Sequence, residues 1–392
     1  GYTFGEGSTM GKYSSLGDPI ASDLTWETAQ QWDLGLDVSM LGNRLNLTAD
    51  VYIRDTKGIL GKGKSLPSIY GANEPQVNSN NLRTKGYELV LGWRDSFKLA
   101  GSTFSYGITG TFSDYTAEYT KCDNPSGLIG DPYVGKKYGE IWGYKVDGLF
   151  RNDEEAAEYA SRVDLSKVAA GYYSATGAYG KGVRGGDIKY LDLDGSGIVD
   201  GGKGTLEDPG DRRVIGNSSP RYQYGLTLNL SWYGFDLSVF MQGIGRLDWY
   251  PGADNLRFWG PYSRPYATFI PKNFMSQVWS ESNPDAYLPR ARAYTSLNST
   301  QGTAYYTNDR YLQNLAYCRL KNLTLGYTIP KRLTSKVGIK ECRVYFSGEN
   351  LATWSALKND FLDPEQAAAN SDKKSNVYPW CRTYSVGLNL TF

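Results

Sequence analysis

The 392-residue chain contains no histidine, so zinc sites built on imidazole and Ser-His-Asp triads lack their usual residue. Its four cysteines, at 122, 318, 342 and 381, form no C-x-x-C pair. No stretch approaches the roughly 18 consecutive apolar residues of a transmembrane helix. Neither sign of charge is in excess: 42 Lys and Arg stand against 41 Asp and Glu, and the balance carries no nucleic-acid footprint. The chain opens at Gly1 with neither Met nor a charged-then-apolar leader, so any export signal is expected to be cleaved or to lie upstream.

Aromatic residues and glycine are plentiful: 32 Tyr, 10 Trp and 46 Gly, with aromatics at 14%. That mixture suits strands carrying aromatic belts and joined by tight turns. The mean hydropathy of −0.48 does not separate a soluble protein from a membrane barrel, because barrel strands alternate apolar and polar residues.

Such alternation is the clearest local signal. Over 45–54, every odd position (Leu45, Leu47, Ala49, Val51, Ile53) is apolar and every even one is polar or aromatic. Successive strand side chains point to opposite faces, so the segment has one oily and one wet surface. The pattern repeats in Tyr87, Leu89, Leu91 and Trp93 (Val90 breaks it), in Phe104, Tyr106, Ile108 and Phe112, and in Tyr224, Leu226, Leu228, Leu230 and Trp232. It recurs in Phe235, Leu237, Val239 and Met241, in Leu323, Leu325, Tyr327 and Ile329, and in Tyr384, Val386, Leu388, Leu390 and Phe392.

A soluble sandwich alternates too, but its strands average about five or six residues, whereas a tilted membrane strand needs about ten. About nine strands are predicted, near 28–41, 43–54, 84–95, 102–116, 221–233, 234–247, 314–329, 341–349 and 380–392. Short turns fall near 41–44, 95–101, 233–234 and 330–340, and long loops near 55–83, 117–220, 248–312 and 350–378. Short periplasmic turns alternating with long external loops mark an outer-membrane barrel. The predicted fold class is therefore all-β: a transmembrane antiparallel β-barrel embedded in outer-membrane lipid. An odd number of strands beginning outside cannot close an even-numbered barrel, so 1–392 is expected to be the C-terminal part of a larger one, with 1–25 ending an external loop. Phe392, closing an aromatic–apolar strand, is the expected assembly signal.

Three loop features bear on chemistry. Asp192, Asp194, Ser196 and Asp200 fall at positions 1, 3, 5 and 9 of a calcium loop, Gly197 follows Ser196, and the carbonyl of Ile198 stands at position 7. Position 12 is Lys203, which cannot ligate, so Asp211 is the expected substitute for the last ligand of a structural Ca²⁺; the alternative is an Asp/Gly-rich turn without metal. Asn152 is the predicted N-cap of a short helix over 152–161, with an acidic first turn. The loop 248–290 interleaves Trp249, Tyr250, Trp259, Tyr262, Tyr266, Phe269 and Trp279 with Arg257, Arg264 and Lys272. Of these, Trp249, Tyr250, Arg257, Trp259, Tyr262, Arg264 and Tyr266 are candidate contacts to a sugar or peptide ligand. Alternatively the rings cover the loop's own core or join the membrane-edge belt. Cys318 and Cys342, equidistant from residue 330, are a candidate cross-strand pair.

Several segments then resemble the SusC/RagA group of TonB-dependent transporters, in order along essentially the whole chain: Asp23-Leu24-Thr25-Trp26-Glu27 with Gly35-Leu36-Asp37, Arg83-Thr84-Lys85-Gly86-Tyr87-Glu88-Leu89, Gly185-Gly186-Asp187-Ile188-Lys189-Tyr190 leading into the calcium-like loop, and Asp211-Arg212-Arg213-Val214-Ile215-Gly216 running to Pro220 and Tyr224-Gly225. Leu320-Lys321-Asn322-Leu323, Gly348-Glu349-Asn350-Leu351, and Tyr378-Pro379 before Arg382-Thr383-Tyr384 complete the series. The resemblance implies a 22-stranded barrel plugged by an upstream domain absent from this chain. It further implies import of an oligosaccharide or oligopeptide, a SusD-like surface lipoprotein as partner, energy coupling through the TonB complex, and no organic cofactor. The rival readings are a barrel enzyme, which would lack the usual His base here, and a passive porin.

Overall fold

The computed structural model describes residues 19–63, 69, 74–173, 182–253, 255–263, 268, 270, 272–292, 297, 302–358, 362–368 and 380–392. Nine strands of these residues form one sheet in chain order: β1 (Thr28–Met40), β2 (Leu45–Lys62), β3 (Gln76–Leu99), β4 (Ser102–Lys121), β5 (Arg221–Trp232), β6 (Phe235–Arg246), β7 (Tyr317–Thr328), β8 (Glu341–Ser355) and β9 (Thr383–Thr391). Every neighbouring pair is antiparallel, an up-and-down arrangement.

The register lines up the apolar residues of successive strands. Val51 stands opposite Leu34 on β1 and Tyr87 on β3, and Ile108 stands opposite Trp93 on β3 and Leu228 on β5. These rows form a face that the protein leaves uncovered: Leu34 is 73% exposed, Ile108 42% and Leu388 57%. A continuous apolar surface of this extent needs a nonpolar solvent outside it. The opposite face is polar and carries the ion pair Arg343–Asp236. No described helix is long and apolar enough to cross a membrane, which leaves crossing by strands untouched.

At one end the strands join through tight turns. Ala100-Gly101 and Tyr233-Gly234 each form a two-residue hairpin with positive φ at both positions (48° and 83°, 49° and 81°). That geometry follows the right-handed strand twist, and glycine at the second position adopts it without Cβ strain. The Tyr233 hydroxyl donates to the Ala100 carbonyl, clasping the adjacent turns. The long connections lie at the other end.

Several predicted bounds need correction. The expected loop 55–83 is largely strand, because β2 runs to Lys62 and β3 starts at Gln76. Beyond Ile53 both faces of this hairpin are wet: Asp55 pairs with Arg83, and Asn78 binds backbone at Thr25 and Gly58. Polar residues on both faces, with a register shift around Gly58, erase the two-residue period and read as loop. Likewise β4 extends to Lys121 and β8 to Ser355, shortening the expected loops 117–220 and 350–378. The cysteine pair is also corrected. The β7–β8 hairpin sets Thr328 opposite Arg343, so its centre lies well past residue 330. Cys318 therefore faces Trp354 and Cys342 faces Leu390, so these two form no disulfide with each other.

Candidate functional site

The apolar core of the protein lies in the loops rather than in the sheet. Residues from 144 to 199 and from 258 to 311 share one buried cluster that includes Phe150, Leu165, Tyr172, Ile188, Tyr190, Trp259, Tyr262 and Tyr311. Short pairings organise it: Glu140–Tyr144 with Arg212–Asn217, and Val146–Leu149 with Ile188–Tyr190. The predicted helix is present as α1 (Asp153–Arg162). The Asn152 side chain accepts from the Glu155 N–H at 2.8 Å, and the Glu155 carboxylate accepts from the Arg151 N–H at 2.7 Å. Together they satisfy donors that a helix start leaves open.

A buried ion pair ties the two long loops together. Arg292 donates to both oxygens of Asp187, at 2.9 and 2.6 Å, and its guanidinium lies 4.2 Å from the centre of the Tyr172 ring. Burial pushes the Asp187 carboxyl up to about 6 against the pull of Arg292. Beside it Gly186 has φ +85°, and a Cβ there would meet the Trp279 ring at 2.4 Å, so only glycine fits. This pair went unrecognised in the sequence, because its partners lie 105 residues apart and neither sits in a ligand-type pattern.

The calcium-like loop folds back on Asp211. One carboxylate oxygen from each of Asp192, Asp194 and Asp211 lies within 4.8 Å of the others. Buried Asp211 accepts backbone N–H groups of Leu193 at 2.6 Å and Asp200 at 2.9 Å, stapling the loop. Burial raises its carboxyl above the usual range, the Asp194 charge adds to this, and those N–H groups oppose it. The Asp200 carboxylate instead accepts from the Gly202 N–H, while the Ser196 hydroxyl donates to the Ile198 carbonyl. Three of the six predicted ligands thus converge, while Asp192 also accepts from the Gly195 and Gly197 N–H groups and Asp194 from that of Ser196.

The aromatic candidates divide. Trp259 is 0% exposed, with its indole N–H on the Pro251 carbonyl at 3.1 Å; Tyr262 is buried and donates to Pro289. Both rings are covered by the loop core, so ligand contact by either requires the loops to part. Tyr250 packs against the same core and donates to the Tyr306 carbonyl at 2.9 Å. Trp249 is half-buried in a short pairing with Gln313, and Arg257 is exposed. Arg264, Tyr266 and Phe269 lie outside the described residues. Phe392 follows β9 and is 73% exposed.

A second charged cluster lies on the polar face of the sheet. Arg319 on β7, 1% exposed at its side chain, binds Asp363 at 2.6 Å and Glu365 at 2.7 Å, and Lys321 binds Glu365 at 2.7 Å. Asp363 and Glu365 belong to the connection after β8. The polar residues of β7 hinted at the wall half of this cluster, but nothing local announced its partners.

Comparison with known proteins places this architecture. The profile of the family described as "TonB dependent receptor-like, beta-barrel" matches residues 2–351. TonB-dependent receptor P3 of Formosa agariphila is 27% identical, covering 96% of this chain and 35% of the relative. TonB-dependent receptor SusC of Bacteroides thetaiotaomicron is 24% identical, covering 100% of this chain and 34% of the relative. The chain therefore spans about a third of the length of these curated relatives. Among solved structures, that of the RagAB peptide transporter superposes with a TM-score of 0.66 at 21% identity, over 100% of this chain and 38% of that one, a likeness of fold. With a sheet that is apolar outside and polar inside, tight turns at one end and packed loops at the other, the chain belongs to the TonB-dependent receptor-like β-barrel family.

Proposed function

We propose that this chain forms one side of an outer-membrane importer that takes up oligosaccharides or oligopeptides by TonB-dependent transport. The observation that carries the reading is the cored loop body at the long-connection end of a polar-lined wall. A passive conduit has little use for a large folded body there, whereas an importer must hold cargo before passing it inward. A SusD-like lipoprotein is the partner that would close over these loops, and the family relatives named TonB-dependent receptor support the energy source. The exposed Arg257 and the half-buried Trp249 belong to the candidate ligand surface. Shortening 248–290 to a tight turn in the full-length protein is expected to abolish growth on the imported nutrient, while the barrel still inserts. Normal growth with the shortened loop would sink the reading. Phe392 is the proposed assembly signal: deletion of 390–392 is expected to leave little heat-modifiable barrel in the outer membrane.

Calcium is the proposed structural ion. The donor set fits a hard cation, since three carboxylates converge where backbone N–H groups already fix Asp211. Asp192, Asp194 and Asp211 would hold it, and the ion would supply the positive charge that lets these groups sit together.

A further inference from the structure

The connection after β8 returns to the polar face of the sheet. Around its described residues 362–368, Pro364 is buried and Leu362 packs against the loop core. Asp363 starts a turn closed by the Ala367 N–H on its carbonyl at 2.8 Å. The two acidic side chains of this turn reach a set of donors built into the wall. The Arg319 guanidinium gives one nitrogen to each carboxylate and its Nε to the Thr353 hydroxyl at 3.0 Å. Lys321 reaches both oxygens of Glu365, at 2.7 and 2.8 Å. Gln242 on β6 adds a longer contact to Glu365 at 3.4 Å.

The wall half of this arrangement is assembled without the strap. Arg319 and Gln242 stand opposite each other in the β6–β7 register, and Thr353 stands opposite Arg319 across β7–β8. Lys321 sits at the register shift of that same pairing, and the bulge turns it to the side of Arg319. The donors are thus fixed by three paired strands, whereas the acceptors arrive on a connection. Two cations on one wall cannot be left bare in a partly desolvated place, so some pair of anionic oxygens must occupy them. The strap meets that need with its own carboxylates.

We propose that Arg319, Lys321 and Gln242, with Thr353 orienting the Arg319 guanidinium, form a carboxylate-binding site on the inner wall, that the strap occupies it as an internal stand-in, and that cargo bearing carboxylates displaces the strap. This rests on the import reading and narrows it to acidic cargo. Charge balance is kept in the exchange: Asp363 and Glu365 leave as two anions, and two carboxylates of one ligand replace them. Arginine suits the role because its planar fork serves two oxygens at once, and the adjacent ammonium adds a point charge without a fixed direction.

The test uses purified full-length protein carrying this chain, with tri-glutamate and tri-galacturonate as probes and tri-glutamine as the neutral control. Wild type is expected to bind an acidic probe weakly, because the strap competes. Glu365→Gln should tighten binding at least tenfold, and Asp363→Asn with Glu365→Gln further. Lys321→Gln, which leaves the buried arginine in place, should abolish binding of the acidic probe. Preference for one acidic probe identifies the carboxylate as peptide- or sugar-borne. Equal dissociation constants in wild type, Glu365→Gln and the double variant overturn the site, as does no binding by any of them or equal binding of tri-glutamine. The measurement involves no uptake, so loss of import with binding retained would strike the import reading alone.

Discussion

The sheet and the loop body solve the folding problem in opposite ways. In the sheet large apolar side chains face outward, as Leu34, Ile108 and Leu388 do, and every strand is held to its neighbours by backbone pairing. In the loop body the apolar residues turn inward, and regular structure among the described residues is sparse: one helix of 10 residues, short pairings and single turns around Trp259, Tyr190 and Tyr311. The sheet takes its stability from backbone hydrogen bonds in a nonpolar surrounding, where an unpaired N–H or C=O is costly. The loop body takes its own from apolar burial in water, like a soluble domain. One chain is thus written for two solvents, and perturbations are expected to strike one region and spare the other.

The largest separation is expected at the buried pair. Arg292→Ala leaves Asp187 as an uncompensated carboxylate at a site only 1% exposed. Breaking a buried pair this way costs about 3–5 kcal/mol. Residues of 122–220 and 248–316 should become protease-sensitive while the barrel keeps its heat-modifiable shift on gels. Simultaneous loss of both would show the two regions to be one cooperative unit.

The converse perturbation is Ile108→Arg. Ile108 lies on the outer face of β4, six residues after the strand start, between Trp93 and Leu228. A charge near the bilayer midplane of a barrel costs about 2–4 kcal/mol, falling towards the interfaces. Barrel stability in detergent or lipid should fall while loop proteolysis stays slow. A wild-type barrel midpoint would place Ile108 away from lipid.

These contrasts also mark what the sequence revealed and what it hid. Where one face meets lipid and the other is wet, as from Leu45 to Ile53, alternation located strand, register and face together. The same rule failed from Asp55 to Asn81, where both faces are wet and Asn78 makes contacts that propensity cannot foresee. In the loop body the helix start at Asn152 was legible because capping is local. The core was not, because it joins residues more than 100 positions apart, such as Tyr190 and Thr303. Asp211 stood out only as a possible substitute ligand; its role as a staple depends on N–H groups at Leu193 and Asp200 that only the folded loop presents.

A smaller effect, confined to the loop body, is expected from calcium. An ion bound only by the folded loop stabilises it by on the order of 1.4 kcal/mol at ten times its dissociation constant. Asp192→Ala with Asp194→Ala should remove that gain and leave the barrel unchanged. Asp211 carries a raised pKa, so its proton is lost later than that of an ordinary aspartate as pH rises. Because ligation needs the ionised form, calcium affinity should weaken as pH falls into the range just above normal carboxylate values, before Asp194, whose carboxyl the Ser196 hydrogen bonds hold low, is titrated. Calorimetry at descending pH reads this directly, and a flat affinity down to the ordinary aspartate range would exclude Asp211 as a ligand.

The smallest expected effect sharpens the comparison within the loop body itself. Asn152→Ala removes the side-chain acceptor of the Glu155 N–H, and losing an N-cap of this kind costs about 1 kcal/mol. The cost should stay local. Glu155 still accepts from the Arg151 N–H and still holds Lys189, which sits on the strand 188–190 behind the helix. Ala156, fully buried one turn in, keeps the helix docked on the core. Amide exchange should therefore speed up roughly fivefold in the first turn of α1, the factor that about 1 kcal/mol implies, while Ile188 and Tyr190 exchange at their former rates. If those two sped up equally, the loop body would open as a single unit, and its short elements would have no stability of their own.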